Sequence, residues 1–377
     1  MIDRAELLQG KLHADRLTGA VVALPQHVYY FTGNRPGSSG SGHKPVPWGF
    51  WFFVLGPSRR FLVAPGTQEQ LSKGLRPGVE PFPYQADSTE CVIHEQQAAK
   101  AALAQAAVAA GLAGKRVGVE AAELGLAFAE ELRRSCELVP LGGQVESMRM
   151  CKDEEELALI RRAVGIVDHG FEAARQAIRP GVTELEVYAA VYKCMLLDNG
   201  EPFILDVTWG SGPNTLGGLG APSSRALRDG ELFLVDMYPT FKMYKSDMTR
   251  VFVAGKPQDW QRKAHDTLVE AMRRAEQAAR SGVPASEPDA VARRFVADAG
   301  YGVMPHHAGH CLGLLHPERP YLAPWETLPL EELMVIAIEP GLTIPGRGYM
   351  RIERNYVVRA DGVECLSHFP CELYACG

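Results

Sequence analysis

Four carboxylates stand in apolar surroundings at matched spacings. Asp236 closes the run ELFLVD, and Asp247 follows eleven residues later, just ahead of MTRVFV. Glu339 closes VIAIE, and Glu353 follows fourteen residues later, just ahead of RNYVV. An ionised carboxylate within an apolar strand is costly unless it is paired or bound to a metal. Four in equivalent places of a repeated arrangement point to one shared site rather than to four solvated edges. If they converge, mutual repulsion raises their pKa values until cations offset it. Two divalent ions balance four carboxylates in formal charge. An oxygen-rich set with one imidazole suits manganese first, with iron, cobalt or zinc behind it. Such a pair of cations acidifies a bridging water and clamps a tetrahedral intermediate. The nitrogen ligand is expected between the two acid-bearing segments, where GHCLGLLHPERP carries His310 and, six residues on, His316.

Strand alternation extends the set. Thr249 shares a face with Asp247, and Arg351 shares one with Glu353. A hydroxyl and a guanidinium there would orient the ligands; for Arg351 an ordinary buried ion pair is an equal reading.

The elements that must carry these residues form two blocks. Up to about residue 145, helices alternate with strands. LTGAVVALPQHVYYFTG holds an apolar run that reads as a buried strand followed by an aromatic segment, and WGFWFFVLG and RRFLVAPG read as a strand pair. An Ala-rich helix, QQAAKAALAQAAVAAG, precedes the strand KRVGVE. KDEEELALIRRAVGIVDHGFEAARQAI then reads as a long amphipathic helix with acids in its first turn. Thr183 and Glu186 form a capping box for the next helix. The boundary is placed near residue 150, giving domains 1–150 and 151–377. Beyond residue 230, a strand ending in an acid, a turn and a second acid-bearing strand occur twice, with TLVEAMRRAEQAAR and PDAVARRFVADAG as helices between them.

The 377 residues, 46% hydrophobic and 22% charged, fit a soluble two-domain protein. A net charge of −6 gives no basic footprint for nucleic acid. No run is long and apolar enough for a membrane span. The charged N-terminus is not a signal peptide, and eight cysteines without C-x-x-C spacing read as reduced thiols. A cytoplasmic location is expected.

The ordered motifs Asp236-Met237-Tyr238, Ser246-Asp247-Met248-Thr249-Arg250, Gly309-His310-Cys311-Leu312-Gly313, Glu339-Pro340-Gly341 and Arg351-Ile352-Glu353 resemble those of the pita-bread metallopeptidases. These include aminopeptidase P, prolidase and methionine aminopeptidase, with creatinase as a non-peptidase relative. RAELLQGKL and HVYYFTG resemble the N-terminal domain of the aminopeptidase P and prolidase branch, and KDEEELALIRRA resembles the start of its catalytic domain. The resemblance spans nearly the whole chain. It implies an α/β (α+β) architecture: a creatinase-like α/β domain, then a pita-bread domain with a curved antiparallel sheet and a pseudo-two-fold repeat. It implies Asp236, Asp247, His310, Glu339 and Glu353 as ligands of two divalent metal ions per subunit, and a homodimer. The activity it implies is hydrolysis of Xaa-Pro bonds in small peptides with proline second. A metal-activated water attacks, Glu339 relays its proton and His316 supports the intermediate. The other readings are non-peptide C–N cleavage or lyase chemistry, and a binding protein on the same fold.

The chain departs from the family pattern in places. The histidine expected in a P-H-x-x-P segment is missing from residues 214–228, and Leu219 or a neighbour fills its place. Creatine hydrolysis is thereby disfavoured. The second loop histidine follows the metal histidine by seven positions in the family and by six here, a shift that a loop backbone can absorb. Thr343 stands where a tyrosine is common, and Cys311 replaces a glycine, which raises oxidant sensitivity as an expectation beside plain space-filling. His306, with His307 next to it, is present as a candidate for the substrate carboxylate. The Gly/Ser/Pro-rich stretch 33–50 is a candidate to reach a partner's site through His43 or Trp48.

Overall fold

The computed structural model describes residues 3–35, 49–203, 205–216 and 219–377; His43 and Trp48 lie outside them. The chain divides into two compact units, Met1–Arg149 and Met150–Gly377.

In the first unit one six-stranded sheet runs in the order Val79–Tyr84, Arg60–Pro65, Phe52–Leu55, Gly19–Val22, Arg116–Val119, Glu137–Pro140. Phe52–Leu55 is antiparallel to both its neighbours, and the outer pairings are parallel. The Ala-rich segment is the helix Glu95–Ala109. Its small face, Ala99, Leu103, Ala106 and Ala107, packs on Val54, Phe61, Val63 and Val117. The aromatic segment after Gly19–Val22 is a helix, Pro25–Thr32. Pro25 at its first turn presets φ, and Gly33 ends it at φ 74. Tertiary packing outweighs the strand preference of its rings, with Phe31 stacked on Phe53 at 4.9 Å.

The second unit opens with two capped helices, Glu154–Ala177 and Glu184–Asn199. Capping boxes Asp153/Glu156 and Thr183/Glu186 satisfy their first amides. One sheet then runs Tyr374–Cys376, Met248–Ala254, Glu231–Tyr238, Asp206–Val207, and Gly210–Ser211 also pairs with Glu231–Tyr238. After the helices Asp259–Ala278 and Ser286–Val296, a second sheet runs Glu318–Leu322, Gly309–Cys311, Val335–Ile338, Arg354–Val358, Val363–Cys365. Each half carries a small hairpin, Thr240–Phe241 with Tyr244–Lys245 and Gly341–Ile344 with Gly348–Arg351. The two-fold arrangement is therefore helix pair, long antiparallel strand pair, small hairpin, stated twice. The sheets are antiparallel except at one edge, where Tyr374–Cys376 joins Met248–Ala254 in parallel.

Buried side chains stitch the halves together at the acids. Thr249 Oγ1 donates to Glu353 Oε2 at 2.8 Å, and the Glu353 amide donates to the Thr249 carbonyl at 3.1 Å. Asn355 bonds the Asp247 backbone from both sides, with the Asp247 amide donating to Oδ1 at 3.1 Å and Nδ2 donating to the Asp247 carbonyl at 2.6 Å.

One buried group makes the fold sensitive to acid. His265, on the helix Asp259–Ala278, is buried, and its Nε2 has no hydrogen-bond partner among the described residues. Burial, helped by the Arg250 charge and opposed by Asp266, pulls its pKa from 6.5 to about 4. The unfolded chain takes up that proton first, so stability is intact above pH 6.5 and falls as pH drops towards 4, by about 3 kcal/mol in all. His265→Leu should flatten this part of the stability–pH curve in denaturant unfolding; an unchanged slope would reject the assignment.

Candidate active site

The four acids and His310 come together, each no more than 4% exposed. Asp236 lies within the strand Glu231–Tyr238, opposite Thr249. The other three acids stand at strand ends rather than within strands: Asp247 precedes Met248–Ala254, Glu339 follows Val335–Ile338, and Glu353 sits between Gly348–Arg351 and Arg354–Val358. A strand end leaves the side chain free to turn away from the pleat, which lets four acids from separate strands meet. His310 occupies the short strand Gly309–Cys311, opposite Ala337. Its neighbour must be glycine, because a Cβ at 309 would lie 2.0 Å from the Ala337 carbonyl oxygen. His310 Nδ1 meets the Cys311 carbonyl oxygen at 2.9 Å, so Nδ1 carries a proton and Nε2 is the nitrogen turned to the acids.

Donor atoms of Asp236, Asp247 and Glu353, and separately of His310, Glu339 and Glu353, lie within 4.8 Å of one another. His310 Nε2 is 3.4 Å from Asp247 Oδ2 and 3.7 Å from Glu339 Oε1. Arg351 bonds Asp236 Oδ2 through Nη2, stands 3.3 Å from Glu339 Oε2 and donates through Nε to Thr249 Oγ1 at 3.0 Å. It is thus both the ion-pair partner of two site carboxylates and a lining residue of the cavity.

Positive charge in this cluster falls short of negative. Burial, with Asp247 and Glu339 close by and Arg351 and Thr249 in opposition, pushes Asp236 well above the usual carboxylate range. Burial and the neighbouring carboxylates do the same to Glu353. Burial acts on Asp247 as well, but His316 and His310 outweigh it and hold the group low. Glu339 is likewise pulled to about 2 against burial by His307, Arg351 and His310. Oδ1 of Asp236, Oδ1 of Asp247 and Oε1 of Glu353 are buried without a hydrogen-bond partner among the described residues. Buried, unpartnered carboxylate oxygens beside an imidazole nitrogen that turns towards them form a donor set that fits divalent cations.

Asp236, Asp247, His310 and Glu339 of the cluster line a cavity of about 590 Å³ together with Leu216, Leu219, Tyr238, Pro305, Pro317 and Thr343, while Glu353 lies behind them. His316 reaches it despite the shorter spacing. Its Nε2 meets Asp247 Oδ2, and its ring stacks on Tyr238 with centroids 4.8 Å apart. His307 Nδ1 stands 3.2 Å from Glu339 Oε1. His306 also lines the cavity, but both its nitrogens are engaged, Nδ1 with the His307 carbonyl at 2.6 Å and Nε2 with the Tyr349 hydroxyl at 2.5 Å. Burial lowers its pKa. Of the two candidates for a substrate carboxylate, His306 thus has both ring nitrogens engaged, while His307 faces Glu339. Cys311 points into the core beside Ile336 and Ile338, and burial pushes its thiol up to about 12. A protonated, buried thiol fills space and resists oxidation. All eight cysteines are free thiols.

Sequence reasoning passed over Tyr238, Tyr349 and Asn355. The first two had a signal: Tyr238 is two residues from Asp236 and Tyr349 two from Arg351, so alternation puts each on its neighbour's face. Asn355 was visible only as a polar residue in an apolar strand.

Comparison with known proteins agrees with this geometry. The profile of metallopeptidase family M24 matches residues 158–360, and that of the creatinase/prolidase N-terminal domain matches residues 4–151. The chain is 33% identical over 263 residues to an Xaa-Pro dipeptidase of Pyrococcus horikoshii, covering 69% of this chain and 75% of the relative. Its fold matches that of an Xaa-Pro dipeptidase from Bacillus anthracis with a TM-score of 0.83 at 25% identity over 98% of both chains. It matches an X-Pro aminopeptidase from Thermotoga maritima with a TM-score of 0.81 at 25% identity over 99% of both. With one profile covering the whole site and more than half of the sequence, the chain belongs to metallopeptidase family M24.

Proposed function

We propose that this protein hydrolyses Xaa-Pro bonds in dipeptides or short peptides, with two divalent cations held by Asp236, Asp247, His310, Glu339 and Glu353. One observation carries the reading: four buried carboxylates and one imidazole cluster together, short of positive charge, and Asp236, Asp247, Glu339 and His310 of that set line a single cavity that Leu216, Leu219, Pro305 and Pro317 also line. The names of the relatives supply the substrate class. Manganese is the first choice for so oxygen-rich a set. Cations bound there supply Lewis acidity and a water acidic enough to lose its proton near neutral pH.

The chain's own groups do the rest. Glu339, held ionised at about 2 by its neighbours, accepts the proton of the attacking water and returns it to the leaving nitrogen. His316 Nε2 stands over Asp247, where it donates to the oxygen that gains charge as the carbonyl is attacked. Arg351 ties Asp236 and Glu339 into one frame so that neither swings away. Leu216, Leu219 and Thr343 offer a dry surface to a pyrrolidine ring, which has no N–H to satisfy. His306 and Tyr349 brace the side nearest Glu339.

The test is turnover of an Xaa-Pro dipeptide and of an Xaa-Pro-Yaa tripeptide by the manganese-loaded protein. Cleavage of the Xaa-Pro bond in either is the expected result. Protein with metal bound and no turnover of both would overturn the peptidase reading in favour of non-peptide chemistry or binding.

A further inference from the structure

The loop that carries His316 spans residues 312–317, between the strands Gly309–Cys311 and Glu318–Leu322, and it is braced at its base. Glu318 Oε1 accepts from the Leu315 amide at 2.8 Å, while its Oε2 lies 3.4 Å from the buried ammonium of Lys152. The Lys245 amide donates to the Gly313 carbonyl at 2.8 Å. These contacts place the loop backbone but leave the imidazole free to turn about its own side-chain bonds. Asp247 meets the ring at Nε2, the His310 ring stands edge-on to it with centroids 5.0 Å apart, and from the first sheet the Tyr238 ring stacks on it.

Tyr238 is itself fixed at both ends. It is the last residue of Glu231–Tyr238, paired in register with Asp206, two residues beyond Asp236 and on the same face. Its hydroxyl bonds Thr208 Oγ1, and the Thr208 amide donates to the Asp236 carbonyl at 3.1 Å. The phenol plane lies 24° from the imidazole plane, a stacked arrangement that blocks rotation of the histidine away from Asp247. Phenol, imidazole and carboxylate therefore form a stack anchored in the strand that carries Asp236.

We infer that Tyr238 is the positioning residue for His316: its ring, anchored by Thr208, holds the imidazole against Asp247. This rests on the Xaa-Pro hydrolase reading for the consequence in turnover, but the geometry stands apart from it. A side chain that fixes the direction of a proton donor affects kcat rather than KM, and a misplacement of about 1 Å costs on the order of 100-fold. Tyr238→Ala should lower kcat about 10- to 100-fold, approaching His316→Ala, with KM changed by less than about three-fold. Tyr238→Phe keeps the ring and should recover most of that loss. The double variant Tyr238→Ala/His316→Ala should be no slower than His316→Ala alone, because both changes remove one device.

Losses that multiply in the double variant, or a Tyr238→Ala protein as fast as the parent, would overturn the inference. A nitrogen-15 histidine spectrum of the protein loaded with diamagnetic zinc reads the geometry without any substrate. His316 signals, identified by their loss in His316→Ala, should shift in Tyr238→Ala and stay near their place in Tyr238→Phe. Signals unmoved in Tyr238→Ala would contradict the stack. If the parent protein cleaves no Xaa-Pro peptide, the function proposed above falls, and this spectrum alone decides on Tyr238.

Discussion

Replacing Asp247 with alanine should strip metal and turnover from the protein together. Asp247 Oδ2 is the atom nearest both His310 Nε2 and His316 Nε2, and its Oδ1 is a buried oxygen with no other partner among the described residues. Its backbone is held by Asn355, which also accepts from the Ser246 hydroxyl, so the truncation leaves the surrounding chain in place. Residues that merely support a metal ligand cost about 10–100-fold in affinity when lost. A carboxylate that is itself a ligand should cost more than that, in metal content measured after dialysis and in kcat alike. Asp247→Asn separates charge from shape: it keeps the contacts and removes the negative charge, and should still bind metal poorly. Normal metal content in the alanine variant would show that the donor set is not the one assigned.

The second large effect is structural. Arg250 is fully buried, and among the described residues its guanidinium donates to backbone carbonyls: Nε to Pro370 at 3.1 Å, Nη1 to Thr249 at 2.9 Å and Glu353 at 2.6 Å, and Nη2 to Phe369 at 2.7 Å. Its guanidinium also lies 5.0 Å from the centre of the Phe171 ring. Arg250→Met keeps much of the volume but orphans those carbonyls, in a region where water does not reach. The cost should be about 3–5 kcal/mol, seen as a fall of roughly 10 °C in the transition of the C-terminal unit. Because Thr249 and Glu353 lose a tether, metal should also bind more weakly. A loss below about 1 kcal/mol would mean that the carbonyls find other partners.

The parts legible in the sequence were those that depend on neighbours in the chain. Capping boxes at Asp153 and Thr183 mark helix starts, and the paired acids flank apolar runs in both halves. Alternation put Thr249 and Arg351 beside the ligands, and the structure joins them by a 3.0 Å hydrogen bond. What stayed hidden depends on segments distant in sequence. The aromatic segment that is the helix Pro25–Thr32 shows no element from its own sequence, and its packing on Phe53 is contributed by chain beyond residue 50. Asn355 matters because the loop holding Ser246 and Asp247 arrives from more than a hundred residues away. The six-residue spacing of His316 looked like a defect. Its loop turns the ring onto Asp247 all the same, with Tyr238 covering the other side.

The split among the carboxylates connects this geometry to function. Asp236 and Glu353 resist ionisation where they stand, whereas Asp247 and Glu339 are held ionised by histidines and Arg351. Cations entering the cluster must displace protons from the first two, so metal binding should release protons and strengthen as pH rises. The most direct measurement is therefore a titration of metal-stripped protein with manganese, following metal bound per chain and Xaa-Pro dipeptide cleavage in the same samples. Cleavage should be absent at the start and rise with occupancy to a plateau at two ions per chain. Cleavage that persists in the stripped protein, or full occupancy without cleavage, would contradict a metal-driven Xaa-Pro hydrolase.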